Sequence, residues 1–299
     1  MKTMFSTENR CKSTGLSFVL MKQMLTLQKK KLDHYGMAKN ADVPNLVKVV
    51  IPMYTTQISS FEKLSLQRAC QMLHAHPLVV IKPRSLDLSP ILKEYPVLTT
   101  EEFDDDYFRS IAGYNRLMLS EEFYRRFEDS KYILICQLDA YIFRDELTEW
   151  CKKGYDYIGA PWLVRPLYRS FPMKQYRWLF RSAATRATDF KVGNGGLSLR
   201  KVSSHLKAVR ELRDVIEEFL RHTKNHVFNE DVFFAVEVNK HGLDFSYPSY
   251  MEALKFSFDK YPELCYRLNH EQLPFGCHSW YKKKMYKFWS KIINVSEFR

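Results

Sequence analysis

The run Tyr132-Ile133-Leu134-Ile135-Cys136 constrains this chain more than any other feature of its 299 residues. Five successive apolar residues, closed by Gln137-Leu138-Asp139, are too short a run for a buried helix. They read as a strand covered on both faces. Val47 to Met53 and Leu78 to Ile81 have the same character, and Phe61 to Leu73 between them carries helical spacing, which makes one βαβ unit. A strand near Val97, a helix from about Tyr107 to Leu119, a helix near Glu146 to Cys151 and a short strand from Tyr155 to Ile158 continue the alternation. It predicts an α/β fold with a mixed, mostly parallel central sheet flanked by helices.

Beyond Gly159-Ala160-Pro161-Trp162 the pattern loosens. Residues 165–191 read as a long basic loop, with Arg165, Arg169, Lys174, Arg177, Arg181, Arg186 and Lys191 against Asp189. The chain returns through Gly193-Asn194-Gly195-Gly196 into a charged amphipathic helix from about Val202 to Leu220. A second helix opens at Asn229-Glu230-Asp231 and runs to about Asn239, and a last strand is expected near Leu243 to Tyr247. The expected division is a helical extension over residues 1–45, a main α/β domain over 46–280, and a basic aromatic tail over 281–299.

Composition narrows the class of partner. Lys plus Arg total 46 against 34 Asp plus Glu, so a formal charge of +12 favours anionic partners. The six cysteines form no C-x-x-C pair, which speaks against a zinc knuckle or a redox dithiol and for reduced thiols. The early apolar stretch Leu16 to Leu20 is short and soon followed by Lys22 and Lys29-Lys30-Lys31, so no signal peptide is read there. No window reaches the roughly 18–20 apolar residues of a membrane span. The expectation is a cytoplasmic protein, soluble or peripheral on the inner face of the membrane.

In an open parallel sheet, ligands bind beyond the carboxyl ends of the strands, so Asp139, directly after the strongest strand, is the first candidate. Two readings stand: a carboxylate bridged by a divalent cation to phosphate oxygens, or a cap for the next helix. Glu230-Asp231 likewise reads either as a helix cap favoured by the dipole or as a general base. The glycines at 193, 195 and 196 let backbone pass close to a ligand but match no nucleotide-loop fingerprint. His278, among turn residues and aromatics, could ligate a metal or nothing at all.

Taken in order, Gly113-Tyr114-Asn115-Arg116-Leu117-Met118-Leu119, Gln137-Leu138-Asp139-Ala140-Tyr141, Tyr155 through Trp162, Gly193-Asn194-Gly195-Gly196, Asn229-Glu230-Asp231 and His278 resemble a bacterial polysaccharide-cluster family of GT-A-fold glycosyltransferases. The resemblance spans roughly residues 47–282. It implies a metal-dependent hexosyltransferase-type enzyme that moves a sugar from a nucleotide-diphosphate donor to a saccharide or lipid-linked acceptor, with inversion. It assigns Asp139 and His278 to Mn²⁺ or Mg²⁺, Asp231 to the catalytic base with Glu230 as the second choice, and Tyr54, Asn115, Arg116, Gln137 and Asp139 to the donor. Trp162, Asn194, Gly195 and Gly196 fall to the acceptor. The usual Asp-x-Asp motif departs here, because Gln137 stands at its first position and removes one negative charge.

The basic loop, and a tail in which Tyr281 to Lys291 mixes five lysines with aromatics, fit an anionic membrane surface. Two rivals remain. A nucleotidyltransferase would need a glycine-rich nucleotide loop with an early lysine, and none is present. A non-catalytic module binding membrane or nucleic acid would explain the charge but neither Asp139 nor Glu230-Asp231; nucleic acid is not the expected partner.

Overall fold

The computed structural model describes residues 45–164, 166–222 and 228–295. The helical extension expected over residues 1–45 lies outside them, except for Asn45. Among the described residues the strands are β1 (Asn45–Pro52), β2 (Leu78–Pro83), β3 (Leu98–Phe103), β4 (Ser130–Cys136), β5 (Tyr141–Ile142), β6 (Tyr157–Ile158), β7 (Ala160–Pro161), β8 (Val192–Gly193), β9 (Leu197–Lys201), β10 (Ser257–Phe258) and β11 (Gly276–Cys277). Six of them form the central sheet in the order β3-β2-β1-β4-β9-β6. The β3-β2-β1-β4 ladder is parallel, and β9 runs antiparallel to both β4 and β6. The predicted α/β class, with a mainly parallel sheet between helices, is what the chain adopts.

Period-two alternation explains why both faces are apolar. Val50, Ile133 and Ile135 enter one core with the helices Val202–Glu211 and Arg213–Leu220. Val49, Ile51, Tyr132 and Leu134 enter the other with the helix Ser60–Met72 and Trp150. That helix starts where a capping box fixes it: Ser59 Oγ accepts from the Glu62 N–H, and the Ser59 N–H donates to Glu62 Oε2 at 2.7 Å.

Several expectations are corrected. Residues 243–247 are not a strand, because side chains satisfy their backbone in place of a ladder. Asn239 both donates to the Phe245 carbonyl and accepts from its N–H, while Asp156 Oδ2 accepts from the Ser246 N–H. The helix expected over 202–220 breaks at Leu212, whose φ of −106° and ψ of 26° leave helical geometry. The basic loop contains the helices Met173–Phe180 and Ala183–Ala187. The helix after Asn229 carries a π segment, Phe233–Glu237.

Two smaller sheets, β10-β11-β5 and β7-β8, complete the strands. Under the first lies a third apolar cluster containing Phe258, Trp280 and Trp289, the last supplied by the helix Lys283–Trp289. Trp280 Nε1 donates to Ser65 Oγ at 2.8 Å, tying the end of the chain to its first described helix.

Candidate functional site

Three short strands bring the acids together. β5 follows Asp139-Ala140, β10 precedes Asp259, and β11 precedes His278. Because Cys277 pairs with both Tyr141 and Phe258, the residues flanking those pairs must meet at one end of the small sheet. His278 Nε2 accordingly lies 2.9 Å from Asp139 Oδ1, and Nδ1 lies 3.2 Å from Asp259 Oδ1. Lys282 Nζ approaches Asp139 Oδ2 at 3.0 Å.

These side chains are covered without being sealed: Asp139, His278 and Asp259 expose 15%, 13% and 11% of their side-chain surface. Burial by itself would push the Asp139 carboxyl up, but His278 and Lys282 overcome it and hold the group well below the usual carboxylate range. Burial likewise opposes a charged His278, yet Asp139 and Asp259 raise it to about 9. Nε2 nevertheless makes no well-aligned hydrogen bond: it is close to Asp139 but off the line of its N–H.

Asn194 is built into the same corner. Its backbone sits at φ +90°, a left-handed conformation that Asn tolerates better than most residues. Its Oδ1 accepts from the N–H groups of Gly196 (2.8 Å) and Leu197 (3.2 Å), which turns Nδ2 toward His278 Nδ1 at 2.9 Å. Antiparallel pairing of Cys136 with Leu197 carries this turn to the end of β4, where the Gln137 N–H donates to the Gly196 carbonyl at 2.8 Å. A Cβ at position 196 would stand 2.1 Å from His278 Nε2, so only glycine lets the imidazole lie against this backbone.

One residue earlier, a Cβ at 195 would stand 2.0 Å from Glu230 Oε1. Glu230 belongs to a second, sealed group. Arg200 Nη2 donates to Oε1 at 3.1 Å and lies 3.0 Å from Oε2, with the two side chains 0% and 4% exposed. Arg200 also donates to Tyr124 Oη and Ser198 Oγ. Asn115 completes the group by accepting from the Glu230 N–H at 3.1 Å and donating to Asn229 Oδ1. Burial pushes the Glu230 carboxyl up to about 7, Arg200 pulls it back, and Asp231 adds to the rise.

Asp231 is half-buried and points its carboxylate elsewhere, accepting from the Val232 N–H at 2.8 Å. Burial raises its pKa; the Val232 and Gly195 N–H groups and Arg200 counter it, and the charge of Asp259 reinforces it. Asp231 thus lies in the electrostatic reach of the Asp139-His278-Asp259 corner.

The remaining candidates are more dispersed. Tyr54 is exposed just past β1. Tyr281, which stacks on Phe61, has its hydroxyl raised by burial and then by Asp139, Glu62 and Tyr54, which puts it near both Tyr54 and the corner. The Trp162 indole covers Gly193, where a Cβ would stand 2.1 Å from Cη2. Arg116 is exposed, with its guanidinium 5.9 Å over the Tyr107 ring. Among the described residues no three His, Cys, Asp or Glu side chains converge on one point. Asp259, Lys282 and Arg200 are not among the residues expected from the sequence; Asp259 follows β10, the pair Ser257-Phe258, which is too short to give a strand signal.

Among curated proteins, none matches this chain. Among solved structures, the apo form of the glycosyltransferase GlyE from Streptococcus pneumoniae TIGR4 is similar at 12% identity and a TM-score of 0.47, over 85% of this chain and 62% of that one. A second structure of GlyE from the same organism is similar at 10% identity and a TM-score of 0.48, with the same coverage. The chain therefore spans less than two thirds of the length of these neighbours. A family model described as protein of unknown function (DUF5672) matches residues 97–278, more than half of the sequence, and the chain belongs to that family.

Proposed function

We propose that the protein is an inverting, metal-dependent glycosyltransferase that uses a nucleotide-diphosphate sugar and a saccharide or lipid-linked acceptor. The observation that carries this reading is the Asp139-His278 pair at the carboxyl end of β4, with Nε2 buried beside a carboxylate oxygen and lacking an aligned hydrogen-bond partner. A carboxylate oxygen and an imidazole nitrogen suit Mn²⁺ or Mg²⁺, and a site with few protein ligands leaves positions for diphosphate oxygens. Asp259 and Asn194, both facing Nδ1, would hold the ring in place with Nε2 on the side of Asp139. Bound there, the cation would supply charge neutralisation for the departing diphosphate.

The chain's own groups account for the rest. The acceptor oxygen attacks the anomeric carbon, its new C–O bond forming as the bond from that carbon to the diphosphate oxygen breaks. Asp231 takes the acceptor proton, a role suited to a half-buried carboxylate whose proton affinity burial has raised. The electron pair of the broken bond leaves with the nucleoside diphosphate, beside the Lys282 ammonium. Glu230 is less suited to proton transfer, since Arg200 holds it in the interior. Its part is to brace Gly195 and the Asn229-Glu230-Asp231 turn. Exposed Tyr54 offers a ring for the nucleobase, and Asn194, Gly195, Gly196 and Trp162 border the acceptor side.

Thermal unfolding with uridine, guanosine and adenosine diphosphates, with and without Mn²⁺, tests this. A nucleotide present at about a hundred times its dissociation constant adds roughly 2.7 kcal/mol, or several degrees in Tm. One nucleotide should raise Tm only with metal, and Asp139→Ala should abolish the shift. A wild type that responds to none of them, or a shift that persists in Asp139→Ala, would overturn the reading.

A further inference from the structure

Between β7 and β8 the chain leaves the domain and returns. The two strands pair Ala160 with Gly193 and Pro161 with Val192, so the excursion begins and ends at one antiparallel neck. Within it stands an unusual helix. Met173–Phe180 has no buried residue, although four of its eight side chains are Tyr176, Trp178, Leu179 and Phe180. With Leu167 and Phe171 these make six large apolar side chains, each 54–77% exposed. An isolated helix of this length is not stable in water on propensity alone. Here it is held from behind: Arg177 pairs with Asp189, and Arg186 donates to the Trp178 carbonyl at 2.8 Å, with its guanidinium 5.7 Å from the indole.

We infer that this excursion is a docking surface for the interface of an anionic lipid bilayer. Charge and apolarity have to be satisfied together, and they identify the occupant. Residues 166–191 contain six Lys and Arg and one acid, Asp189, which Arg177 already neutralises. Lys174 and Arg181 are exposed, and among the described residues neither side chain is in an ion pair. Apolar side chains set among cations are the signature of a helix lying in the headgroup region, its rings and aliphatic groups in the acyl boundary and its cations on anionic headgroups. A second copy of the chain would set two such cationic faces against each other. Residues 1–44, with eight Lys and Arg against three acids, offer no complementary charge either. A nucleic acid would satisfy the cations and leave Leu167 and Leu179 in water.

The attachment is peripheral, since among the described residues no helix is long and apolar enough to cross a membrane. Its position has a consequence for the chemistry that rests on the transferase reading. The residue after β8 is Asn194, which contacts His278, so the bilayer would lie beside the acceptor side and present a lipid-linked acceptor to it.

Cosedimentation with phosphatidylcholine vesicles, with and without about one third phosphatidylserine, tests the proposal together with Trp fluorescence. Wild type should pellet with the anionic vesicles only, release as salt rises, and shift its emission to the blue. Trp178→Ser/Leu179→Ser/Phe180→Ser should lose most of the binding. Lys174→Glu/Arg181→Glu should weaken it by at least roughly 20-fold, taking about fivefold per charge. Both variants change exposed side chains and should keep the metal-dependent nucleotide response, so loss of docking is separable from failure of the transferase reading. Wild type that stays in the supernatant with anionic vesicles would overturn the inference. So would vesicle binding unchanged in the triple variant, a wild-type dimer that the triple variant dissociates, or selective binding to single-stranded RNA in place of vesicles.

Discussion

Glu230 presses on Gly195, and His278, the partner of Asp139, presses on Gly196, so two carboxylate-cation pairs meet neighbouring residues of one turn. Arg200 and Glu230 are sealed, and their remaining polar contacts are supplied by Ser198, Tyr124 and Asn115. Asp139 and His278 keep a share of solvent and a lysine at the rim, and each pair leaves one buried atom without an aligned hydrogen bond, Glu230 Oε2 in the first and His278 Nε2 in the second. The same attraction therefore serves two ends. In a closed pair water cannot take a partner's place, and removing one leaves a stranded charge. In an open pair the partners can be redistributed to a ligand. Burial raises both carboxyls, but the cations beside them separate the two: Glu230 ends up at about 7 despite Arg200, whereas His278 and Lys282 hold Asp139 low.

The largest expected effect breaks the sealed pair. Arg200→Met should cost about 3–5 kcal/mol in urea unfolding, because it strands a buried carboxylate. Adding Glu230→Gln to it should recover a large part of the loss. Equal damage from the double variant would show that Arg200 matters through packing rather than through charge.

A smaller effect separates the pairs by pH. A carboxyl raised to about 7 contributes stability that is fully present below the ordinary value of 4.5 and is lost as pH rises through 7. The stability of wild type relative to Glu230→Gln should therefore fall between pH 5 and pH 8, by on the order of 2–3 kcal/mol. A flat difference across that range would mean that Arg200 keeps Glu230 ionised throughout.

The smallest effect concerns the open pair. Asp259→Asn should weaken metal-supported nucleotide binding by roughly 10–100-fold, the usual cost of losing a partner that orients a ligand. Melting in the absence of ligand should change little. A variant that binds as wild type does would remove Asp259 from the site.

How far the residues are legible in the sequence depends on their periodicity. β1, β2 and β4 are built around the apolar runs Val49 to Ile51, Leu78 to Ile81 and Tyr132 to Cys136, and Asp139 is legible because it closely follows the last of them. Strands of two residues, such as β5, β10 and β11, have no period to detect, and they are what aligns Asp139, Asp259 and His278. His278 stays one of two open readings until the family resemblance assigns it to the metal. In β9 the order Leu197-Ser198-Leu199-Arg200 suggests an outward polar face, yet Ser198 and Arg200 are fully buried, because helices cover that side and the polar atoms pair inside it. Lys282 reads as part of a tail, and only the contact with Asp139 distinguishes it from its lysine neighbours. Arg116, singled out for the donor, sits over Tyr107 on the surface.

The small sheet that joins residues 141, 258 and 277 also sets a timetable. Asp139 leaves the ribosome 139 residues before His278. At about 5–20 residues per second, that is roughly 7–30 s during which the carboxylate has no imidazole beside it. The central strands β1 to β4 are all made by then, so much of the sheet can assemble first. Only a chain synthesised as far as His278 can bring this corner together.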